Sequence, residues 1–465
     1  MEKTLTAACE LTTRKSLFPM TAKELTFTAV ESLSTIDGEI KAATDGDRVL
    51  LLAKRQVLKT LVEPDEDDCA NWSRLLLSAA VAARPFSQKA AEADAEDFLN
   101  IFINAYLAKT DRYGHFDTRD PATETAYKEP ASLGIRYRRI GRYLEITEIL
   151  PDSPASQSDL VVGDRIAEID GKRISDLSRI ETLNALRGEK GTEVALTLRK
   201  DGKTARRVLT RRPVSSSPVT YFIDEKTKLM IIRIASFSER TLPSMRGTMR
   251  LAKKEGVTGL IIDLRGNMGG LLKAAVETAD YFLPEGLLMI RTEGTEGDQE
   301  YYSTKKYKRP VYPLAVLVDA RTASSAEYFA GVLQDYRHAV VIGTPTYGKG
   351  AVQTVEQVNG DGTLSLTVSR YFLPSGYTPD GYGLFPNICT SGKDMKDVDE
   401  PLLVQNDLKP WRTGSERVKR RARGVCRPES RENHPFDEEA AKKILTNPEK
   451  YNAALTYFSL DNTAK

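Results

Sequence analysis

The stretch GLIIDLRGNMGGLLKAAVETADYFL, residues 259–283, decides the fold class. It begins as a short apolar run, turns through glycines, and continues as LLKAAVETADYFL with apolar residues at helical spacing. That is a buried strand, a tight turn and a helix. PLAVLVDA (313–320), SSAEYFAGVLQDY (324–336) and AVVIG (339–343) repeat the strand–helix–strand order. Such alternation predicts βαβ units and layered α/β packing from about residue 218 onward.

Upstream the texture differs. Residues 1 to about 120 read as helical: TAKELTFTAVESL (21–33) opens with a capping box, Thr21 with Glu24 three residues on. NWSRLLLSAAVAAR and AEDFLNIFINAYLAK show helical spacing as well. TDRYGHFDTRDPATET breaks the pattern. From about 130 to 213 come short strands and turns: SLGIRYRR and YLEITEIL, then a short helix and the turns at Gly163-Asp164 and Asp170-Gly171. The helix SRIETLNALRG, the strand EVALTLRKDG and the polar linker RRPVSSSPV complete that unit. The last sixty or so residues are charged, with a helix at DEEAAKKIL.

Composition sets outer limits. With 465 residues, 40% of them hydrophobic and 28% charged, two to four soluble globular domains are expected. A net charge of +2 gives no reason to expect nucleic acid, and the basic run Arg417–Arg423 reads as a solvated face. No segment approaches the ~18 apolar residues of a membrane span, and no signal peptide is visible in MEKTLTAACELTTRK. The four cysteines, Cys9, Cys69, Cys389 and Cys426, lack C-x-x-C spacing, which argues against zinc. Pairing Cys9 with Cys69 and Cys389 with Cys426 suits an oxidising compartment; four buried thiols are the alternative.

The candidate chemistry lies in two segments. In Arg321-Thr322-Ala323-Ser324-Ser325-Ala326-Glu327, a strand delivers serines to the first turn of a helix. Unpaired N–H groups and the positive dipole end make that a place to hold an oxyanion, although a helix cap alone explains the residue types too. In GTPTYGKG (343–350), Gly343, Gly348 and Lys349 have phosphate-loop spacing. Gly350 stands where a Ser or Thr is required, and AVQTVEQV continues as a strand rather than a helix, so a phosphate loop is excluded. Lys349, buried and uncharged, is instead a base for a serine. Gln353 faces the same way if the segment is extended, and a neutral amide there holds the amine without adding charge. Gly269 and Gly270 let backbone approach the same point. His115, His338 and His434 offer no triad, with His338 read as structural; paired carboxylates for glycoside chemistry need separations that a sequence does not give.

These motifs resemble the carboxyl-terminal processing (tail-specific) family of serine peptidases. GLIIDLRGNMGGLLKAAVETADYFL resembles its strand–DLRxNxGG–helix, TASSAEYFAGVLQDY its nucleophile segment, GTPTYGKGAVQ its lysine segment, and LTVSRYFLPSGYTPDGYGLFPNI its closing strand and loop. SPASQSDLVVGDRIAEIDGKRI resembles a PDZ domain. The resemblance spans about residues 110–390. It departs at Met268 (usually Pro), at Thr322–Ala326 (usually Ser-Ala-Ser-Ala-Ser) and at Asp159-Leu160 (usually Gly-Leu).

The resemblance implies an α/β multidomain protein: a helical N-terminal region over 1–125, an inserted PDZ domain over 126–213, a crotonase-like (ClpP/crotonase) peptidase core over 214–395, and a charged, partly helical extension over 396–465. It implies Ser324 as nucleophile, Lys349 as base, Gln353 as its orienter, and oxyanion donors from Ser325 and from Gly269 or Gly270. Ser132, Leu133, Gly134 and Ile135 would receive a substrate's C-terminal carboxylate, the peptide adding a strand. Protein or peptide substrates with free C-termini, no cofactor, no metal and an extracytoplasmic or periplasmic location follow; a homo-oligomer is left open. Two other readings stand beside it: a catalytically silent PDZ scaffold that binds partner tails, and a hydrolase of small esters or amides.

Overall fold

A computed structural model describes residues 1–53, 56–65, 67–118, 131–150, 153–177, 179–200, 203–213, 217–304, 306–397 and 409–456. The chain forms two compact units, one built from residues up to Thr118 together with those from Pro218 onward, the other lying between them in sequence. The expected domain boundaries at 125/126 and 213/214 touch residues outside those described, as do parts of the linker and of the C-terminal extension.

The larger unit is organised by a six-stranded sheet in the order Val219–Ile223, Leu229–Ile234, Gly259–Asp263, Leu314–Val318, Val340–Gly343, Ile388–Cys389. The first pair is antiparallel and the rest are parallel. Gly259–Asp263, Leu314–Val318 and Val340–Gly343 are buried along their whole length, as near-continuous apolar runs require when both faces of a parallel sheet are covered. One face packs on the helices Thr241–Lys254, Leu272–Asp280 and Ser325–Asp335. The other is covered by Phe436, Ala440, Ala441, Ile444 and Leu445 of the C-terminal helix Pro435–Leu445. Among the described residues, three further helices lie in the tail: Lys409–Thr413, Glu416–Val425 and Pro448–Thr456. A second sheet, ordered Gln299–Tyr302, Leu288–Gly294, Gly362–Phe372, Ala351–Val358, carries the lysine segment, and His115–Thr118 pairs with Gly362–Phe372.

The N-terminal region is not wholly helical. Ile40–Asp45, Arg48–Ala53 and Gln56–Val62 form an antiparallel meander among the helices. Its first hairpin turns at Gly46-Asp47, with Gly46 at φ 65°, a backbone conformation that glycine adopts without steric cost. Nor is the region a separate body. Its helices share one apolar cluster with Phe116, Val358, Leu364 and Leu366, and the Leu17 N–H donates to Thr367 O at 2.8 Å.

The smaller unit has a sheet ordered Lys203–Thr210, Glu193–Lys200, Arg165–Ile169, Tyr143–Ile149, Ile135–Ile140, with the helix Arg179–Leu186. Leu144, Ile146, Ile166, Val194 and Leu196 fill its core. The short helix expected near residues 154–159 is a series of turns. Both cysteine pairs are disulfides, Cys9–Cys69 and Cys389–Cys426.

Candidate active site

Ser324 stands at the entrance of the helix Ser325–Asp335 with φ 57° and ψ −123°. Non-glycine residues rarely adopt such a backbone, and it costs on the order of 1–3 kcal/mol. Neighbours hold it. The Ser324 N–H donates to Glu327 Oε2 at 2.8 Å, and Ser324 O accepts from Tyr371 Oη at 3.1 Å. The other hydroxyls of the segment are engaged: Thr322 Oγ1 donates to Leu264 O at 2.9 Å, and Ser325 Oγ to Gly270 O at 3.3 Å. The Ser324 side chain instead lines a cavity of about 270 Å³ with Lys349, Gln353, Ala351, Val352, Tyr371, Met268, Gly270, Leu271 and Leu272.

Lys349 reaches that cavity because its flanking glycines admit no side chain. A Cβ on Gly348 would come within 2.9 Å of Gly383 N, and one on Gly350 within 2.4 Å of Thr378 Oγ1. Two backbone stretches pass in contact there, with Gly348 at φ 97°. The buried Glu327 carboxylate fixes the register. It accepts from Gly348 N and Lys349 N, each at 2.8 Å, and from Thr346 Oγ1, besides Ser324 N. One carboxylate thus holds the backbone of both the serine and the lysine. Burial pushes its carboxyl above the usual range and the four donors pull it back.

The Lys349 amine donates to Gln353 Oε1 at 2.5 Å, and Gln353 Nε2 donates to Tyr113 O at 2.7 Å. The strand has a register shift between Val352 and Gln353, and both line the cavity. Burial holds the amine below the ordinary lysine range, while the Asp111 carboxylate draws it upward. Ser324 and Lys349 both line the cavity, and no hydrogen bond joins their side chains.

The turn after Gly259–Asp263 is shaped by Asn267, whose Oδ1 accepts from Gly269 N at 2.8 Å and whose Nδ2 donates to Ile234 O at 2.8 Å. The Gly269 N–H is therefore committed, which removes it from the expected oxyanion donors. Ser325 N and Gly270 N have no acceptor among the described residues. Gly269 still matters by its size: a Cβ there would lie 3.0 Å from Ser324 Cβ.

In the smaller unit, Ser132 N and O are both engaged with Arg212 in a bridge, so the Ser132 N–H is not open. Leu133 and Gly134 are buried, Gly134 at φ 75°, and their N–H groups have no acceptor among the described residues. Ile135 opens the edge strand of that sheet.

Sequence reasoning missed Tyr113, Asn267 and Thr346, and gave Glu327 no role beyond its place in the serine segment. Asn267 lies inside the quoted glycine turn; Tyr113 meets Gln353 across 240 positions and leaves no local signal.

The model for Peptidase family S41 matches residues 228–390, and that for the PDZ domain matches residues 124–199. The chain is 29% identical over 370 residues to a carboxyl-terminal-processing protease of Synechocystis, covering 78% of this chain and 83% of the relative. It is also 29% identical over 319 residues to a carboxy-terminal-processing protease of Bartonella bacilliformis, covering 66% of this chain and 71% of that one. Among solved structures, a photosystem II D1 C-terminal processing protease aligns at 22% identity and TM-score 0.41, covering 83% of this chain and 92% of the other. Residues 228–390 thus carry a segment of peptidase family S41 with a PDZ domain ahead of it in sequence, and the chain is a serine-type peptidase similar to the carboxyl-terminal processing proteases.

Proposed function

We propose that the protein is an endopeptidase with a Ser324–Lys349 dyad, its substrates selected by their C-terminal tails at the PDZ domain. The domain limits follow the sequence reading, 126–213 for the PDZ domain and 214–395 for a core of the crotonase-like build. In the reaction Ser324 Oγ attacks the peptide carbonyl while Lys349 Nζ, neutral, takes its proton. The Ser325 and Gly270 N–H groups receive the oxyanion. The protonated amine then returns its proton to the leaving nitrogen, and water completes hydrolysis of the acyl-enzyme.

The observation that carries the reading is the shared cavity: Ser324 lines it together with Lys349, whose half-buried amine gives its hydrogen bond to a neutral amide. A carboxylate in place of Gln353 would hold the lysine charged. That no hydrogen bond joins the two side chains suits a site that tightens on substrate binding. Tail selection rests on the open N–H groups of Leu133 and Gly134 beside an edge strand that a peptide can extend. The two disulfides support an extracytoplasmic location.

The test compares Ser324→Ala with Ser325→Ala on an unfolded protein substrate. Ser324→Ala is expected to abolish cleavage, and Ser325→Ala to retain most of it; full activity in both contradicts the dyad. For tail selection, amidating a peptide substrate's C-terminus should raise KM with kcat little changed. Equal KM for the free acid and the amide contradicts it.

A further inference from the structure

Tyr113 lies far outside the catalytic segments in sequence, in the turn between the helix Ala95–Thr110 and the strand His115–Thr118. Its hydroxyl lies 2.7 Å from Gly348 O and 2.8 Å from Asp380 Oδ1. Its carbonyl takes the Gln353 amide at 2.7 Å. Its ring centre lies 5.5 Å from Lys349 Nζ. One residue thus touches the lysine's backbone neighbour, the lysine's orienter and the face of the amine.

The turn is built to hold still. Asp111, 1% exposed, accepts from Thr367 N at 2.7 Å and Thr367 Oγ1 at 2.8 Å, which fastens it to the strand Gly362–Phe372. The same carboxylate accepts from Tyr113 N at 3.1 Å. A Cβ on Gly114 would meet Asp111 Oδ2 at 2.7 Å, so the turn closes onto that side chain. A turn that only stapled the N-terminal helices to the core would not need its tyrosine aimed at the lysine.

We propose that Tyr113 is a positioning residue for the base: it fixes Gln353 and Gly348 and shields the Lys349 amine from water. The proposal rests on the Ser–Lys reading above. The groups facing the amine and its supports are Asp111 and Arg112 in the same turn, Asp380 in the Thr378–Gly383 loop, Glu327 on the Ser325–Asp335 helix, and Tyr371 on the Gly362–Phe372 strand. All remain when Tyr113 alone is changed. Removing the ring hydrates the amine and restores its preference for the charged form. The lost ring-face attraction acts the other way, but at 5.5 Å it is close to the ~6 Å limit of such contacts.

The experiment measures kcat/KM against pH for the wild type, Tyr113→Phe and Tyr113→Ala. The rising limb, where Lys349 loses its proton, should move up by about one pH unit in Tyr113→Ala, a roughly tenfold loss below that limb. Tyr113→Phe, which keeps the cover and loses only the hydroxyl, should lower kcat with the limb in place. If Tyr113→Ala does not fold, as judged by its melting transition, Tyr113→Leu must move the limb in the same direction. A uniform loss at every pH with the limb unmoved in the folded variant overturns the proposal and leaves Tyr113 structural. The dyad reading fails by a different result: hydrolysis that survives in Ser324→Ala or Lys349→Met, whatever Tyr113 does.

Discussion

Two loops of this molecule, the lysine segment 343–350 and the segment 132–135, treat their backbone N–H groups in opposite ways. Around Lys349 the donors are matched: Gly348 N and Lys349 N go to Glu327, and the flanking glycines touch the 378–383 loop. At 132–135 the bridge to Arg212 ends at Ser132, and the next two N–H groups have no acceptor among the described residues. A base must be held to within a fraction of an ångström, so its surroundings are over-determined. A loop that receives a ligand must keep its donors unmet until the ligand comes. On the proposed reading, matched donors hold the lysine in place, whereas unmatched ones, Leu133 and Gly134 here and Ser325 and Gly270 beside the serine, are those a substrate would meet.

Changes in the matched region should cost most. Lys349→Met and Lys349→Arg are each expected to lower kcat/KM by roughly 10⁴-fold or more, because neither provides a neutral amine. Single-turnover cleavage checks this, and an active Lys349→Arg would break the comparison at its strongest point. Glu327→Gln should come next. It puts an NH₂ among four donors in a fully buried place, so denaturant unfolding should show a loss of about 3 kcal/mol alongside the loss of activity. A stable, fully active Glu327→Gln would mean that the carboxylate is not what joins the two segments.

Gln353→Glu sharpens the comparison rather than breaking it. A carboxylate against the amine favours the charged form, so the rising limb of the pH–rate profile should move upward by about 1–3 units. The sign follows from the base being the neutral amine: activity appears as pH rises through the lysine's pKa, and burial places that point below the ordinary lysine range. The smallest effect is expected in the smaller unit. Gly134→Val, at φ 75°, strains the loop and should raise KM for a free-acid peptide several-fold while kcat is kept. A fall in kcat at constant KM would mean that this loop belongs to the chemistry and not to recognition.

Much of the core was readable in the sequence. Gly259–Asp263 and Leu314–Val318 are apolar runs too short for helices, and each ends in a turn. Ser324 stood out because it lies at a strand-to-helix junction, and Lys349 because its phosphate-loop spacing is followed by a glycine and a strand rather than a hydroxyl and a helix. The N-terminal meander was not legible, since Ile40–Asp45 alternates poorly and its outward residues are short or charged. The state of the Gly269 N–H was hidden as well: whether a turn donor is free depends on where the neighbouring Asn267 side chain points. Tyr113 was out of reach for a different reason. Its proposed role rests on contacts with Lys349, Gly348, Gln353 and Asp380, all more than two hundred positions away.

The central claim is that the Lys349 amine is uncharged at the pH where the enzyme works. Its most direct measurement is the titration of the Lys349 side chain by NMR in Ser324→Ala protein carrying ¹³C-labelled lysine, assigned by its absence in Lys349→Met. The midpoint should lie well below the ordinary lysine value of about 10.4 and coincide with the rising limb of the wild-type pH–rate profile. An amine that titrates near the ordinary value, with activity already complete several units lower, would contradict it.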